Sequence, residues 1–268
     1  ARRARAAFEN ARAELAHCIG ARPTSITLTA GATEANNLAF ASVDGTVLTD
    51  AIEHESTLAC AKAREHVLVG VTGEGFATPS AIANVLTPDV ELVSVALANG
   101  EIGTVQNLRE IAAVVKAERQ RRLDAGEMHP LWLHTDASQA AGALSLNVST
   151  LEADLVTISA AKIYGPKQVG LLWASDDVKL RPLVLGGGQE GGLRSGTENV
   201  PGVVGFAEAL KIATAERTQE SRRLAQLRDL LQGTLLREFP WAVVSGPKKG
   251  RWRLPGLLHI SFPGLEAR

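Results

Sequence analysis

The chain contains little cysteine and few aromatic residues. Its 268 residues include two cysteines, one tyrosine and one methionine, and aromatic residues make up 4% of the sequence. Cys18 and Cys60 have no paired spacing, so they provide neither a disulfide framework nor a metal-binding pattern. A chain of this kind is typical of a reducing compartment. We therefore expect a cytoplasmic protein without a metal site.

The sequence also lacks an excess of charge and a long apolar run. A net charge of −1 and a pI of about 6.7 do not create the positive field that attracts nucleic acids. No apolar run approaches the roughly 20 residues that span a bilayer, and no signal-peptide pattern opens the chain. Direct binding to nucleic acid or to a membrane is therefore not expected.

Short apolar runs alternate with helix-like segments from about residue 24 to residue 173. The runs that predict strands are Ile26–Thr29, Thr46–Leu48, Val67–Val71, Leu92–Val95, Leu131–His134, Leu155–Ile158 and Val169–Trp173. This alternation predicts an α/β protein with a mostly parallel central sheet that is covered on both faces. A long helix over about residues 203–237 and strands near residues 241–244 and 257–262 follow. We therefore expect a large domain at 1–202, and at 203–268 a linking helix and the start of a smaller α+β domain that looks incomplete.

A single lysine follows the predicted strand at 155–158. The segment reads Ser159-Ala160-Ala161-Lys162, and a Gly-Pro turn follows at 165–166, which would free the lysine from any regular element. Small residues at a strand exit can leave an amine partly desolvated and within reach of a carbonyl, as a Schiff-base lysine requires. Taken alone, Lys162 is more simply explained as a surface residue beside a turn.

Polar residues also follow two other predicted strands. The strand at 131–134 continues into Asp136, and a carboxylate there can pair with a protonated ring nitrogen of a cofactor, although many such aspartates cap helices. The strand at 26–29 breaks at Gly31 and becomes helix-like, so that its first N–H groups and the Thr33 hydroxyl could bind a phosphate. An ordinary capped helix explains the second segment equally well.

Two more segments carry candidate residues. His54 follows a strand-like run and could stack on a flat cofactor, although a helix cap explains it as well. The glycine-rich segment at 186–199 cannot form a core helix or a central strand. It must be a shaped loop, in which Ser195 and Thr197 could reach an anion.

Together these segments resemble the cysteine desulfurases, which are class V aminotransferases among the fold-type I pyridoxal phosphate enzymes. The resemblance covers nearly the whole chain, and its segments are residues 30–37, 53–54, 99–103, 136–139, 162–166, 186–200 and 257–264. The glycine-rich part resembles the branch that supplies sulfur for iron–sulfur clusters and tRNA thiolation. The resemblance implies the three-layer fold of these transferases.

The resemblance implies that four residues act on the ring of pyridoxal 5'-phosphate. Lys162 would bind the cofactor covalently and later move the Cα proton of the substrate. Asp136 would pair with the pyridine nitrogen, and Gln139 would hydrogen-bond the phenolic oxygen. His54 would stack on the ring, and with Lys162 it would form the catalytic pair in this sequence.

Four further residues would hold the cofactor phosphate. Thr33 and Ser159 would bind it with their hydroxyl groups, and Ala32 would bind it with its backbone. Thr197 resembles a residue that reaches the phosphate of the partner subunit, which implies a homodimer.

The sequence departs from the family pattern at two positions of the site. The family usually has histidine before the lysine, as a phosphate ligand, and this chain has Ala161. The family usually has Asn-Asn-Glu-Ile-Gly, whereas this chain has Gly100 as the second residue of that motif. Each lost neutral hydrogen bond would weaken cofactor binding by about 0.5–1.5 kcal/mol.

The resemblance also implies functional segments that the printed sequence does not contain. The family begins with an Asp-x-x-Ala-Thr-Thr-Pro motif, and its catalytic cysteine and substrate-binding arginine come after the strand near residue 262. Cys18 and Cys60 are on helix-like segments and are expected to be inert, because buried thiols behave as small hydrophobic groups. The sequence does not decide whether it is a truncated or partly ordered copy of a longer chain.

The function implied by the resemblance is a desulfurase that converts L-cysteine to L-alanine and leaves a persulfide on the enzyme. The sulfur would pass to an acceptor, such as an iron–sulfur scaffold or a tRNA-thiolation protein. Two alternatives stay open. One is another class V enzyme, such as a cysteine or selenocysteine lyase, and the other is a non-catalytic scaffold of the same fold.

Overall fold

The computed structural model describes residues 2–248 and 250–266. Its α-helices are α1 (Arg2–Ile19), α2 (Ala32–Ala41), α3 (Glu55–Lys62), α4 (Pro79–Ala83), α5 (Leu108–Ala125), α6 (Val148–Leu151) and α7 (Val200–Glu238). Its strands are β1 (Ile26–Thr29), β2 (Thr46–Asp50), β3 (His66–Val69), β4 (Val90–Ser94), β5 (Trp132–Asp136), β6 (Leu155–Ser159), β7 (Gly170–Ala174), β8 (Val243–Val244) and β9 (Ile260–Ser261).

The first seven strands form one sheet in the order β1-β7-β6-β5-β4-β2-β3. Strand β7 is antiparallel to both of its neighbours, and the pairs from β6 across to β3 are parallel. The predicted mostly parallel sheet is therefore confirmed. Since parallel strands end at the same edge, the residues that follow them are brought together at one edge of the sheet.

Apolar residues on both sides of the strands produce the three layers. Leu92 and Leu155 face a core with helices α2 and α3, where Phe40 and Leu38 are buried. Their strand neighbours, which include Val93 and Val156, face the opposite core with α1, α5 and the start of α7. Side chains alternate between the faces of a strand, so a strand that is apolar at consecutive positions must be buried on both faces. The continuous apolar runs of the sequence follow from this arrangement.

Local signals explain where the longer helices begin and end. Helix α5 ends at Gly126, which has the left-handed φ of 71° that glycine adopts without strain. Asn199 caps the start of helix α7, because its side chain accepts a hydrogen bond from Gly202 N. Val203 and Phe206 in its first turns are buried, whereas leucines in its second half, such as Leu230, are exposed.

The predicted strands of the large sheet are all present, and their ends differ from the prediction by at most two residues. The last two strands are shorter than predicted, because β8 and β9 have two residues each. The division of the chain at residue 202 stays a prediction, and α7 begins at Val200. None of the helices in the described ranges combines the length and the apolar character that are needed to cross a membrane.

Candidate active site

A cavity of about 480 Å³ opens at the carboxyl edge of the sheet. Its volume lies within the range of about 300–1,000 Å³ that is usual for small-molecule sites. Seven of the eight predicted site residues line it, namely Ala32, Thr33, His54, Asp136, Gln139, Ser159 and Lys162. Thr197 is the eighth, and it is exposed on the glycine-rich loop and outside this lining.

Asp136 is the best-anchored of these side chains. It is the last residue of β5, and its side chain is buried. Oδ2 accepts a hydrogen bond from Asn36 Nδ2 at 2.9 Å, and Oδ1 accepts one from Ser138 N at 2.9 Å. Two N–H donors are the environment that an ionised carboxylate requires when it is buried. Asp136 is thus held in position to pair with a protonated ring nitrogen.

His54 caps helix α3 and also lines the cavity. Its Nδ1 accepts a hydrogen bond from Ser56 N at 3.0 Å and contacts Ser56 Oγ at 2.8 Å. The capping role and the cofactor role are therefore compatible, because the cap fixes Nδ1 while the exposed ring faces the cavity. The fixed ring can cover one face of a flat ligand.

The start of helix α2 leaves unpaired N–H groups in the same cavity. Gly31 precedes the helix with a φ of 135°, and no side chain caps the first turn. The N–H groups of that turn and the Thr33 hydroxyl, with Ser159 opposite, suit a phosphate. A Cβ at Gly170 would lie 2.8 Å from Gly31 Cα. The close approach of β7 to this turn therefore requires glycine at position 170.

The structure places Lys162 differently from the sequence-based expectation. It lies within a 3₁₀ helix (Ala160–Ile163) and is not freed from regular structure, because this turn forms before the Gly-Pro segment begins. Its side chain is exposed beside the small residues at 160 and 161. The amine nevertheless lines the cavity. The next exposed residue, Tyr164, has a φ of 61°, which is a strained conformation for a tyrosine.

The two departures from the family pattern lie beside the ligand space. A Cβ at Gly100 would lie 2.7 Å from both Cδ and Nε2 of Gln139. The Gln139 amide therefore occupies space that a larger residue at position 100 would take. Ala161 is exposed next to Lys162.

The glycine-rich loop is held by residues that the sequence did not indicate. The Glu190 carboxylate forms an ion pair with Arg12, and its Oε2 also accepts a hydrogen bond from Leu28 N at 2.8 Å. The prediction that Ser195 reaches an anion is not supported, because Ser195 is buried and its Oγ accepts a hydrogen bond from Gly188 N at 3.2 Å. Ser195 thus shapes the loop from inside.

Neither cysteine belongs to the cavity. Cys18 is on α1 and Cys60 is on α3, and both are partly buried. Burial raises the pKa of both thiols, and the nearby Glu14 raises that of Cys18 further. Since the thiolate is the nucleophilic form, both cysteines fit the structural role that the sequence predicted.

Sequence reasoning missed three buried polar residues around Asp136. Asn36 is fully buried on α2, between the buried apolar residues Ala35 and Leu38. A polar residue in an apolar stretch was the only sequence signal for its role. Ser138 Oγ is buried without a hydrogen-bond partner and lines the cavity. Glu53 lines it as well, and its Oε1 accepts a hydrogen bond from Ala96 N.

Behind Asp136 lies a histidine that is buried in its neutral form. His134 contacts Ser94 Oγ at 2.8 Å through Nδ1 and Thr157 Oγ1 at 3.0 Å through Nε2. Burial lowers the pKa of His134 to about 4, although the Asp136 charge acts in the opposite direction. His134 is therefore uncharged near neutral pH and leaves Asp136 without a competing cation.

The residues of the cavity fit pyridoxal phosphate. The cavity contains an amine, a buried and anchored carboxylate, an uncapped helix start and a ring that can cover a flat face. The Ser138 hydroxyl, which has no protein partner, is a further group that a polar ligand would satisfy. This donor set has one suitable group for each part of that cofactor.

Comparison with known proteins gives the family. The model of the class V aminotransferases matches residues 1–268. The chain is 34% identical to the cysteine desulfurase IscS of Dictyoglomus turgidum, over 99% of this chain and 67% of that protein. It is 37% identical to the cysteine desulfurase IscS 1 of Archaeoglobus fulgidus, over 98% of this chain and 68% of that protein.

A solved structure agrees with these relatives. A NifS-like protein superposes with a TM-score of 0.90 at 33% identity, over 98% of this chain and 72% of its own. The chain spans about two thirds of the length of the curated relatives that it matches. It belongs to the class V aminotransferases, which use pyridoxal phosphate, and within them to the cysteine desulfurases of the IscS and NifS type.

Proposed function

We propose that this protein takes sulfur from L-cysteine with the help of pyridoxal phosphate, releases L-alanine and supplies the sulfur to iron–sulfur cluster assembly or tRNA thiolation. The observation that carries the proposal is the single cavity that joins Lys162, Asp136, His54 and the start of α2. When bound, the cofactor supplies a carbonyl for the substrate amine and a ring that accepts electrons from the Cα–H bond.

The residues of the cavity divide this work. Lys162 holds the cofactor carbonyl and moves the Cα proton of the substrate, which its exposed position allows. Asp136 holds a proton on the ring nitrogen, because Asn36 and Ser138 fix its two oxygens. His54 covers one face of the ring and limits its movement.

The remaining contacts orient the cofactor. The first turn of α2, with Ala32 and Thr33, and the hydroxyl of Ser159 bind the phosphate. Gln139 donates from its amide to the phenolic oxygen. We also infer a C2 homodimer in which Thr197 of one subunit reaches the phosphate site of the other, since Thr197 lies outside the cavity lining of its own chain.

Sulfur transfer requires a thiolate that attacks the substrate sulfur. Cys18 and Cys60 are partly buried and lie outside the cavity lining. We therefore propose that neither of them accepts the sulfur, and that the persulfide forms on another thiol. A separate acceptor protein then receives it, and a location in the cytoplasm agrees with the reduced cysteines of this chain.

The test combines cofactor trapping with product analysis. Borohydride reduction of the purified, cofactor-loaded protein should attach the cofactor to Lys162, and Lys162→Ala should abolish the adduct. Lys167→Ala is the matched control, since Lys167 is exposed in the same segment and outside the cavity lining. Alanine formed from L-cysteine in the Lys167→Ala variant, but not in the Lys162→Ala variant, supports the function. An adduct at another lysine would contradict it.

The fate of the sulfur separates the desulfurase from the alternatives. A persulfide that can be trapped with an alkylating label supports the desulfurase. Free sulfide without a protein persulfide would indicate a lyase, and a colourless protein that binds no cofactor would indicate a scaffold.

A further inference from the structure

Two buried carboxyl groups line the cavity, and the proposed reaction uses only Asp136. The other is Glu53, which lies in the loop after β2, and Asp50 at the end of β2 is close by. The exposed fractions of Glu53 and Asp136 are 7% and 9%. Within the described ranges, no group of acidic, histidine and cysteine side chains is arranged to hold a metal ion. A bound cation therefore does not explain why the acids cluster.

The contacts of Glu53 are those of an uncharged acid. Its Oε1 accepts a hydrogen bond from Ala96 N, whereas its Oε2 is buried without a hydrogen-bond partner. Asp136, by contrast, has an N–H donor on each oxygen. An ionised carboxylate with a bare, buried oxygen is costly, whereas a protonated oxygen carries no charge to be solvated. Of these two acids, the geometry thus assigns the charge to Asp136.

We propose that Glu53 is a positioning residue that stays uncharged, so that Asp136 alone carries the negative charge on the buried side of the cavity. The inference rests on the proposed function, because the protonated ring nitrogen supplies one positive charge there. One carboxylate balances that charge. A second ionised carboxylate would be left unpaired in a buried place and would compete with Asp136 for the ring.

The charged groups around Glu53 act in the same direction. Burial raises the pKa of Glu53 well above its usual value, and the charges of Asp50 and Asp136 raise it further against the hydrogen bond from Ala96 N. Burial also raises the pKa of Asp50, to about 6. Three other ionisable side chains line the cavity, namely His54, Glu101 and Lys162. All three are exposed.

The first test uses the cofactor-free protein and the variant Glu53→Gln. An acid with a raised pKa stabilises the fold fully below its unfolded-state pKa, and that contribution is lost as the pH rises towards the folded-state pKa. Glutamine keeps the shape without titrating. From about pH 5 to about pH 8, the folded-to-unfolded ratio of Glu53→Gln should therefore rise relative to the parent, by about tenfold for each pKa unit of the shift.

Glu101→Gln is the matched control, because it removes an acid from the exposed margin of the same cavity. Its stability relative to the parent should change little with pH. Urea unfolding at several pH values measures all three proteins. A Glu53→Gln variant that loses stability relative to the parent as the pH rises would overturn the proposal, since glutamate would then be ionised in the fold.

A second readout is spectroscopic. The infrared spectrum of the parent at about pH 8 should contain the carbonyl band of a protonated carboxylic acid, and Glu53→Gln should lack it. In fluorescence titration with pyridoxal phosphate, Glu53→Gln should bind within about threefold of the parent, whereas Glu53→Ala should bind about tenfold more weakly because Ala96 N loses its acceptor.

These outcomes are separable from failure of the proposed function. A Glu53→Gln variant that loses cofactor affinity as strongly as Glu53→Ala would show that an ionised glutamate is needed, and it would overturn the inference. If the stability and infrared results hold but no alanine forms from L-cysteine, the proposed function fails while the uncharged Glu53 stands.

Discussion

The buried and the exposed side of the cavity are built in opposite ways. On the buried side, Asp136 is fixed by two N–H donors, and His134 and Asn36 behind it are fully enclosed. On the exposed side, Lys162 extends from a short 3₁₀ helix and Thr33 from the uncapped first turn of α2, and both are exposed. One side is preorganised by protein contacts, and the other is left for the ligand to complete.

This difference teaches which part of the chemistry the fold itself provides. Stabilising a charge on a ring nitrogen requires a carboxylate that does not move, and a buried hydrogen-bond network provides that rigidity. Holding a carbonyl and moving a proton require an amine that can change position. An exposed lysine on a short turn provides that freedom. Apart from Lys162 itself, substitutions should therefore cost more on the buried side than on the exposed side.

After Lys162→Ala, which should abolish activity, the largest expected effect comes from Asp136. Replacing it with alanine leaves the ring nitrogen unpaired. It also leaves Asn36 Nδ2 without its acceptor, since that nitrogen donates a hydrogen bond to Asp136 Oδ2 at 2.9 Å. Loss of one partner of a buried charged pair costs about 3–5 kcal/mol, so kcat/KM for alanine formation should fall by more than about 100-fold. Steady-state kinetics on cofactor-saturated protein measure it. A loss of less than about tenfold would show that the buried side is not the ring-nitrogen side.

The second effect concerns pH and His134. The pKa of His134 is lowered from 6.5 to about 4, so the folded state requires the neutral ring, and stability falls as the pH decreases through this window. The variant His134→Gln should therefore gain about 1–2 kcal/mol in unfolding free energy relative to the parent between about pH 7 and pH 5. Urea unfolding at both pH values measures the gain.

Two features make that comparison specific to His134. The pKa values of Asp50 and Glu53 are raised, so these two acids make the fold more stable as the pH falls, opposite to His134. Both proteins contain these acids, so their contribution cancels when the variant is compared with the parent. His17→Gln, which alters an exposed histidine on α1, should show no such gain. An equal gain in both variants would mean that burial of His134 does not restrict its protonation.

The third effect compares neighbouring asparagines. Asn36→Ala removes the donor to Asp136 Oδ2 and should lower cofactor affinity by about tenfold, since a buried, charged acceptor loses a partner. Asn37→Ala removes only a hydrogen bond to the Thr33 carbonyl at 2.8 Å, so its effect should be a few-fold at most. Fluorescence titration measures both affinities. Equal losses would mean that the Asn36 contact does not hold Asp136 in place.

Local signals in the sequence predicted the sheet and four cavity residues, Thr33, His54, Asp136 and Lys162, and the resemblance to the cysteine desulfurases added Ala32, Gln139 and Ser159. Apolar runs locate the strands, and polar residues after parallel strands must meet at one edge. The supporting residues could not be found in this way. Asn36 and Asp136 are 100 positions apart, and only the folded chain shows that they share a hydrogen bond. The 3₁₀ turn at Lys162 was also missed, since a four-residue element has no periodicity to detect.

The smallest effect should come from restoring the family residue at the exposed side. Ala161→His adds a donor beside Lys162, at the position where the resemblance to the family implies a phosphate ligand, and we expect affinity for pyridoxal phosphate to rise by no more than about tenfold. The exposed position should accept histidine without loss of stability. Gly100→Asn is the contrast, because its Cβ would lie 2.7 Å from the Gln139 amide and would displace that side chain. It should bring no gain despite restoring a family residue. Titration of both variants and the double variant measures the difference. A gain from Gly100→Asn without one from Ala161→His would mean that the exposed side is limited by the Gln139 contact and not by a missing phosphate donor.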